Sequence, residues 1–268
     1  MSFLEHLEVL RWHLLRSLAA ILVVAIVAFI FKDIVFNIIL LGPKSPEFVT
    51  NRLLCEFGQI VNVPRLRINT KPLELISIKM AGQFSMHIMV SLMSGFVLAF
   101  PYIFWEFWRF VVPALYTKEK KHARGAVFYS SMLFILGVLF GYYIITPLSI
   151  HFLGSYSVSD QVTNQINLIS YVSTIASVVL ASGIVFELPI LVYFLSKVGL
   201  VTPRFLKKYR RHALVLILAL SAIITPPDIF SQVLVAVPLI ILYEVGITIS
   251  RRILRKREAE DEEAEKKE

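Results

Sequence analysis

One carboxylate, Glu119, lies among four basic side chains directly after a run of aromatic residues. The whole stretch, residues 104–124, reads FWEFWRFVVPALYTKEKKHAR. Aromatic rings at this density are typical of a membrane–water interface, because they bury apolar area while staying close to the headgroups. An acid at such a surface could bind a cationic ligand through charge-assisted hydrogen bonds. Local ion pairing on a solvated loop is the alternative interpretation of the same residues.

A second acid, Glu187, lies inside an apolar run, in the sequence VFELP. An ionised carboxylate costs about 2.5 kcal/mol or more in hydrocarbon, so it must face a polar interior, a cavity or a partner, or be protonated. A possible partner within the chain is a set of polar side chains on one face of an earlier helix. These are Lys79, Gln83, His87, Ser91 and Ser94. Such a stripe either bonds to neighbouring helices or lines a transport path.

The composition requires a membrane for these elements. Hydrophobic residues make up 57% of the 268 residues and the mean hydropathy is +0.72, which leaves too little polar surface for a soluble domain. The net charge of +8 does not indicate nucleic-acid binding, because the cations lie beside apolar runs. The one cysteine, Cys55, excludes an intrachain disulfide. The acidic N-terminus has no cleavage-site pattern and predicts no cleaved signal peptide.

The apolar runs predict an all-α polytopic membrane protein with six transmembrane helices in residues 1–250. The runs are residues 17–31, 79–100, 125–150, 168–197, 213–224 and 229–249. The fifth and sixth helices are predicted to be short, because a TPPD turn joins them and the fifth run has far fewer than the roughly 20 residues that cross a bilayer. In the third run, Pro147 and Gly154 are expected to break the helix.

Three segments outside the spans have predictions of their own. Residues 2–16 are predicted to form an amphipathic helix at the interface. Residues 42–74 form an extracytoplasmic cap loop, with a short helix at 47–57 and an edge strand or extended segment at 61–68. Residues 251–268 form a charged tail that is expected to be disordered.

Basic residues fix the predicted orientation. Lys and Arg are concentrated in residues 109–124, in residues 197–211 and after Ser250, whereas residues 155–167 and the TPPD turn contain none. By the positive-inside rule, both termini and all three basic segments are cytoplasmic. Glu187 then lies within the membrane toward the opposite side.

The sequence lacks the motifs of common enzymes and metal sites. No HExxH, GxSxG, Walker A or GxGxxG pattern occurs, so we expect no enzyme, cofactor or metal site. The histidines are not at metal-ligand spacing; they are His6, His13, His87, His122, His151 and His212.

Several motifs together resemble the TatC family of twin-arginine protein translocases. They are HLxxLR from His6 to Arg11, the pattern PxxxxExWxFxxPALYxxE at residues 101–119, FELP at 186–189, TPPD at 225–228 and FSQ at 230–232. The match covers residues 3–252 in order. The resemblance implies a core receptor in the cytoplasmic (inner) membrane that binds paired-arginine signal peptides and exports folded proteins, driven by the proton gradient.

The resemblance also implies roles for single residues. Glu119 matches the signal-binding acid of the family, and Arg11 and Phe110 match supporting positions. The second acid of the family falls on Val9 in this chain, so Glu8, Glu5 or Glu106 would replace it.

Partner-binding positions follow from the same resemblance. Glu187 matches the intramembrane glutamate, where single-span TatA-like and TatB-like subunits would dock in a complex with several copies of the chain. Pro43, Gln232 and Asp228 complete the matched intramembrane and partner-binding set. Bonding of Glu187 within its own bundle stays open, as does the alternative function of a small-solute or proton-coupled transporter.

Overall fold

The computed structural model describes residues 3–60, 68–69, 73–111, 123–159, 161, 164–225 and 229–265. The chain divides into two compact units, residues 1–182 and 183–268. Both units are built almost entirely from helices.

The first unit begins with one long helix, α1 (Phe3–Ile30), which a π-helical turn (Ile34–Leu40) follows. The segment predicted to be an amphipathic helix, residues 2–16, is helical from Phe3 and continues without a break into the apolar part of α1. No Gly or Pro occurs within α1, so nothing in the sequence interrupts its backbone hydrogen bonds.

Helix α3 (Gly82–Val111) packs antiparallel against α1. Three contacts define the pairing: His13 with Glu106, Ile21 with Gly95, and Phe29 with His87. At the middle contact the backbones nearly touch, because a Cβ added to Gly95 would lie 2.6 Å from the carbonyl oxygen of Ile21.

The third apolar run forms α4 (Ala123–Phe140), a second π-helical turn (Gly141–Ile145) and α5 (Thr146–Ser155). The predicted break at Pro147 is wrong. Proline lies in the first turn of α5, just after the π-helical turn, where its missing N–H costs little. At Gly141 the run approaches α6 (Leu168–Phe186) closely, since an added Cβ would lie 2.9 Å from Ser182 Oγ.

The cap loop contains a 3₁₀ turn (Gly42–Lys44) and the helix α2 (Val49–Ile60), and a two-residue strand, β1 (Leu75–Ile76), follows it. The structure confirms a helix in this part of the cap. β1 pairs in parallel with β2 (Ile166–Asn167), which was not predicted. The extended segment predicted at 61–68 falls almost wholly outside the described residues.

The core of the first unit joins α1, its π-helical turn, α3, α5 and α6. Its buried residues are Ala28, Val35, Leu40, Met86, Val90, Ile150, Tyr171, Val172, Ile175 and Val179.

The second unit contains α7 (Leu188–Val198), α8 (Pro203–Lys208), α9 (Arg210–Ile224) and α10 (Ile229–Glu265). Gly199, with φ of 86°, ends α7 in the left-handed conformation that glycine adopts without a Cβ penalty. α10 contacts the other helices through a buried hydrogen bond of 2.8 Å from Ser196 to Ser250 and one of 2.8 Å from the Tyr243 hydroxyl to Leu206 O.

The lengths of the last two helices differ. α9 has 15 residues and is about 22 Å long, which confirms a short fifth helix. α10 has 37 residues, so the prediction of a short sixth helix is wrong. The predicted disordered tail is helical as far as Glu265, because its Ala, Glu, Lys and Arg residues favour helix and α10 supplies a formed nucleus.

Five helical stretches of the described chain are long and apolar enough to cross a membrane. They are Leu7–Ile30, Gly82–Val111, Gly125–Ser155, Leu168–Val198 and Gln232–Lys256. The chain is thus a multi-pass, mostly helical membrane protein.

Candidate functional site

A buried carboxylate, Glu106, joins the ends of α1 and α3. Its side chain is 1% exposed. Its Oε2 accepts a hydrogen bond from His13 Nδ1 and lies 3.9 Å from Arg16 Nη1, while its Oε1 accepts a 3.2 Å hydrogen bond from Arg109 Nη1. A carboxylate buried this fully must be paired, and here both helices supply the partners.

Helical spacing brings these residues together. His13 and Arg16 are three residues apart on α1, and Glu106 and Arg109 are three apart on α3, so each pair lies on one helix face. The antiparallel pairing then places the two faces opposite each other. We call these four residues the Glu106 cluster.

Phe110 lies beside the Glu106 cluster. Its ring meets the ring of His13 edge to face, with centroids 6.2 Å apart. The structure therefore brings one predicted signal-binding residue, Phe110, next to a second candidate, Glu106. Because Glu106 is buried and already contacts two guanidinium groups and the His13 ring, it is poorly placed to contact a peptide directly.

Glu8 and Arg11 are exposed on α1, close to its first residues. Arg11 and the neighbouring leucines line an open groove of about 350 Å³; the leucines are Leu7, Leu10, Leu14, Leu15 and Leu18. Glu119, the strongest candidate from the sequence, lies outside the described residues.

Glu187 lies between α6 and α7, at the residue where one helix ends and the next begins. Its carbonyl oxygen accepts hydrogen bonds of 3.0 Å from the N–H groups of Ile190 and Leu191 and so begins α7. Pro189 explains the break, because it has no N–H to continue the pattern of α6. The side chain of Glu187 is half-buried.

The other matched positions have structural contacts. Pro43 is buried in the 3₁₀ turn, and its carbonyl oxygen accepts a 3.1 Å hydrogen bond from Asn51 Nδ2. Gln232 Nε2 donates a 3.0 Å hydrogen bond to Leu218 O and so links α10 to α9. Asp228 lies outside the described residues.

The polar stripe of α3 bonds to its own surroundings in the first unit. The His87 ring stacks on Phe29 at 3.8 Å, and its Nε2 lies 3.1 Å from Phe29 O. Ser91 donates a 2.8 Å hydrogen bond to His87 O within α3. These contacts favour helix packing over a transport path for the stripe.

Two features of the first unit were not predicted from the sequence. The first is the contact between His13 and Glu106. Its only sequence signal was that an acid among aromatic residues needs a polar partner. In the cap, Asn69 has φ of 53° and donates to Asn51 Oδ1 at 3.3 Å and to Pro147 O at 3.0 Å. Its left-handed backbone had no sequence signal beyond the tolerance of asparagine for this conformation.

Known proteins resemble the chain over nearly its whole length. The family described as "Sec-independent protein translocase protein (TatC)" matches residues 5–238. A protein of that name from Blattabacterium sp. subsp. Periplaneta americana is 41% identical over 96% of this chain and 97% of its own length. The corresponding Aquifex aeolicus protein is 35% identical over 96% of this chain and 98% of its own length.

Solved structures agree with these relatives. A crystal structure described as the twin-arginine translocase receptor TatC is 34% identical and has a TM-score of 0.69, covering 93% of this chain and 99% of its own. A second structure of that receptor, in DDM, has a TM-score of 0.71 and covers 91% and 99%. The relatives are named as translocase components, which confirms that the protein is not an enzyme and takes part in protein transport. The chain belongs to the TatC family of Sec-independent protein translocases.

Proposed function

We propose that this chain is the receptor of a twin-arginine translocase in the cytoplasmic membrane. It binds the paired arginines of signal peptides with Glu119 and Glu8 at its cytoplasmic face, and Arg11 and Phe110 support this binding. The observation that carries the proposal is the likeness to solved twin-arginine receptors over almost their whole length. The solute-transporter alternative is not favoured, because the polar stripe is engaged in helix packing.

The proposed topology has six spans and two cytoplasmic termini. The short α9 is the fifth span, and the concentration of Lys and Arg supports the orientation. A helix of about 22 Å in a bilayer core of about 30 Å requires local thinning of the membrane.

The receptor site is tested by replacing Glu119 with glutamine. The change keeps the size of the side chain and removes the charge that a guanidinium pair needs. A charge-assisted hydrogen bond contributes roughly 1.5–3 kcal/mol, so binding of a paired-arginine peptide should weaken about 10- to 100-fold. Site-specific crosslinking and equilibrium binding to the purified protein measure this loss.

Glu56→Gln is the matched control, since Glu56 is an exposed acid on α2 that pairs with Arg52 at 3.6 Å. It should bind the peptide as the unchanged protein does. Normal crosslinking in Glu119→Gln would refute the site.

The proposal further assigns Glu187 to docking of the TatA-like and TatB-like single-span partners. Its half-buried carboxylate marks the only break in the apolar stretch between Leu168 and Val198, and a polar group on a partner helix would compensate its cost in the membrane. Proton-gradient-driven export would follow this docking, in a complex that contains several copies of the chain.

Glu187→Ala should keep signal-peptide affinity within about twofold and abolish export of a folded reporter, since Glu187 is not among the residues proposed to bind the peptide. Export is measured in cells and affinity with the purified protein. Glu244→Ala serves as control, because Glu244 already pairs with Arg210 at 2.6 Å in the same unit. Export that persists in Glu187→Ala would exclude the docking role.

A further inference from the structure

The Glu106 cluster carries more positive than negative charge. Its one carboxylate faces two guanidinium groups and an imidazole, and no other carboxylate of the described residues forms an ion pair with either arginine. Arg16 is 50% exposed and Arg109 is 48% exposed. An arginine has five N–H donors, and the contact with Glu106 uses only part of them. Two half-exposed guanidinium groups, one from each helix, are therefore held side by side with donors to spare.

Helix geometry places this cluster at the depth of lipid headgroups. Residues 80–105 contain no Asp, Glu, Lys or Arg, and residues 17–31 likewise contain none. Arg109 lies about 40 Å along α3 from Gly82, whereas the hydrocarbon core is about 30 Å thick. Arg16 and Glu106 are the first charged residues at this end of the two apolar stretches, so the cluster marks the boundary of the membrane.

Exposed aromatic rings surround the same point. Trp12 is 57% exposed and Trp105 is 44% exposed. The guanidinium carbon of Arg109 lies 5.2 Å from the centre of the Trp105 ring. Rings of this kind contact the upper part of acyl chains, while arginine at the same depth reaches phosphate.

We propose that Arg16 and Arg109 form a binding site for the phosphate group of an anionic membrane phospholipid. Glu106 holds the two guanidinium groups in place. The lipid phosphate accepts hydrogen bonds from both of them, and Trp105 contacts the acyl chain. The negative charge of the phosphate neutralises the positive charge of the two arginines that Glu106 does not balance. The two arginines of the site are not among the residues proposed to bind the signal peptide.

A lipid fits better than a free anion for two reasons. Both arginines are half exposed, Arg109 lies over the exposed Trp105 ring, and both lie near the ends of the apolar stretches, where the headgroup phosphates are. Anionic lipids also concentrate at the membrane surface and attract nearby basic side chains.

Intrinsic fluorescence reports on this site directly. The chain has three tryptophans, Trp12, Trp105 and Trp108, and all three lie at this end of α1 and α3. Brominated phospholipids quench tryptophan on contact, so bilayers of phosphatidylcholine with increasing brominated phosphatidylglycerol measure the relative affinity for the anionic lipid.

We expect a preference for phosphatidylglycerol of about 25-fold, from about fivefold for each arginine. Arg16→Gln and Arg109→Gln should each reduce the preference to about fivefold, and the double variant should remove it. The double Arg→Lys variant keeps both charges and should retain most of the preference, which separates loss of the site from loss of the fold. Arg52→Gln, an exposed arginine on α2, should leave it unchanged.

Three results would overturn the proposal. One is a wild-type preference that persists in the double Arg→Gln variant, since the anionic lipid would then bind elsewhere. Another is complete loss of the preference in millimolar inorganic phosphate, which would assign the arginines to a soluble anion. A double Arg→Lys variant without any preference would also refute a site based on charge at these two positions.

Discussion

Replacement of Glu106 by alanine is expected to lower the free energy of unfolding by about 3 kcal/mol, the lower end of the range for breaking a buried ion pair. The change leaves Arg16 and Arg109 without a counter-charge and the His13 ring without its hydrogen-bond acceptor. The repulsion between the two arginines is reduced by solvent, because they are half exposed, and this places the effect at the lower end. Reversible unfolding in mixed micelles measures the loss.

Glu106→Gln separates charge from packing. The amide keeps the volume and one acceptor oxygen, so we expect a smaller loss of about 1 kcal/mol. A double-mutant cycle with His13→Ala should give a coupling energy of about 1–2 kcal/mol, because the two side chains are hydrogen-bonded. Independent effects of the two changes would contradict the proposed link between α1 and α3.

Gly95→Ala is the second change with a large expected effect. The new Cβ would lie 2.6 Å from Ile21 O and 2.9 Å from the Cβ of Ala25, and both belong to the facing helix. Backbone atoms cannot rotate away as a flexible side chain can, so α1 must shift from α3. We expect a loss of about 2–3 kcal/mol in the free energy of unfolding, as for other overpacked interfaces.

Gly125→Ala is the control for helix propensity. Apart from its chain neighbours and the backbone of α4, no atom of the described residues lies within 4 Å of a Cβ added to Gly125, which is exposed near the start of α4. Alanine there should leave the free energy of unfolding unchanged or raise it by up to about 1 kcal/mol, because alanine loses less conformational entropy than glycine when a helix forms. Equal behaviour of the two variants would show that the α1–α3 contact is not close-packed.

Hydropathy predicted the membrane-spanning helices well, because spans are long and their composition changes sharply at their ends. The short α9 followed from the distance between a basic loop and the TPPD turn. In each case a local property of a few neighbouring residues was sufficient.

Contacts between distant residues were not predictable in this way. His13 and Glu106 are 93 positions apart, and the residues near His13 do not indicate which side chain it contacts. The tail after Ser250 was misjudged because its composition resembles that of disordered segments, whereas a helix that already exists can extend into such residues at low cost. Glu106 illustrates the same point for the candidate site: its sequence position suggested a ligand contact, and the fold gives it three partners of its own.

The π-helical turn at Gly141–Ile145 sets the angular phase of the third span. Such a turn holds one residue more than an α-helical turn, so everything after it is rotated by about 100° relative to an uninterrupted helix. The buried residues Ala126, Ser130 and Phe134 repeat every four positions before the turn, while Thr146, Ser149 and Ile150 are buried after it. Loss of one residue inside this turn would therefore turn α5 by about 100° and move Thr146, Ser149 and Ile150 off the buried face, although no side chain of α5 itself had changed.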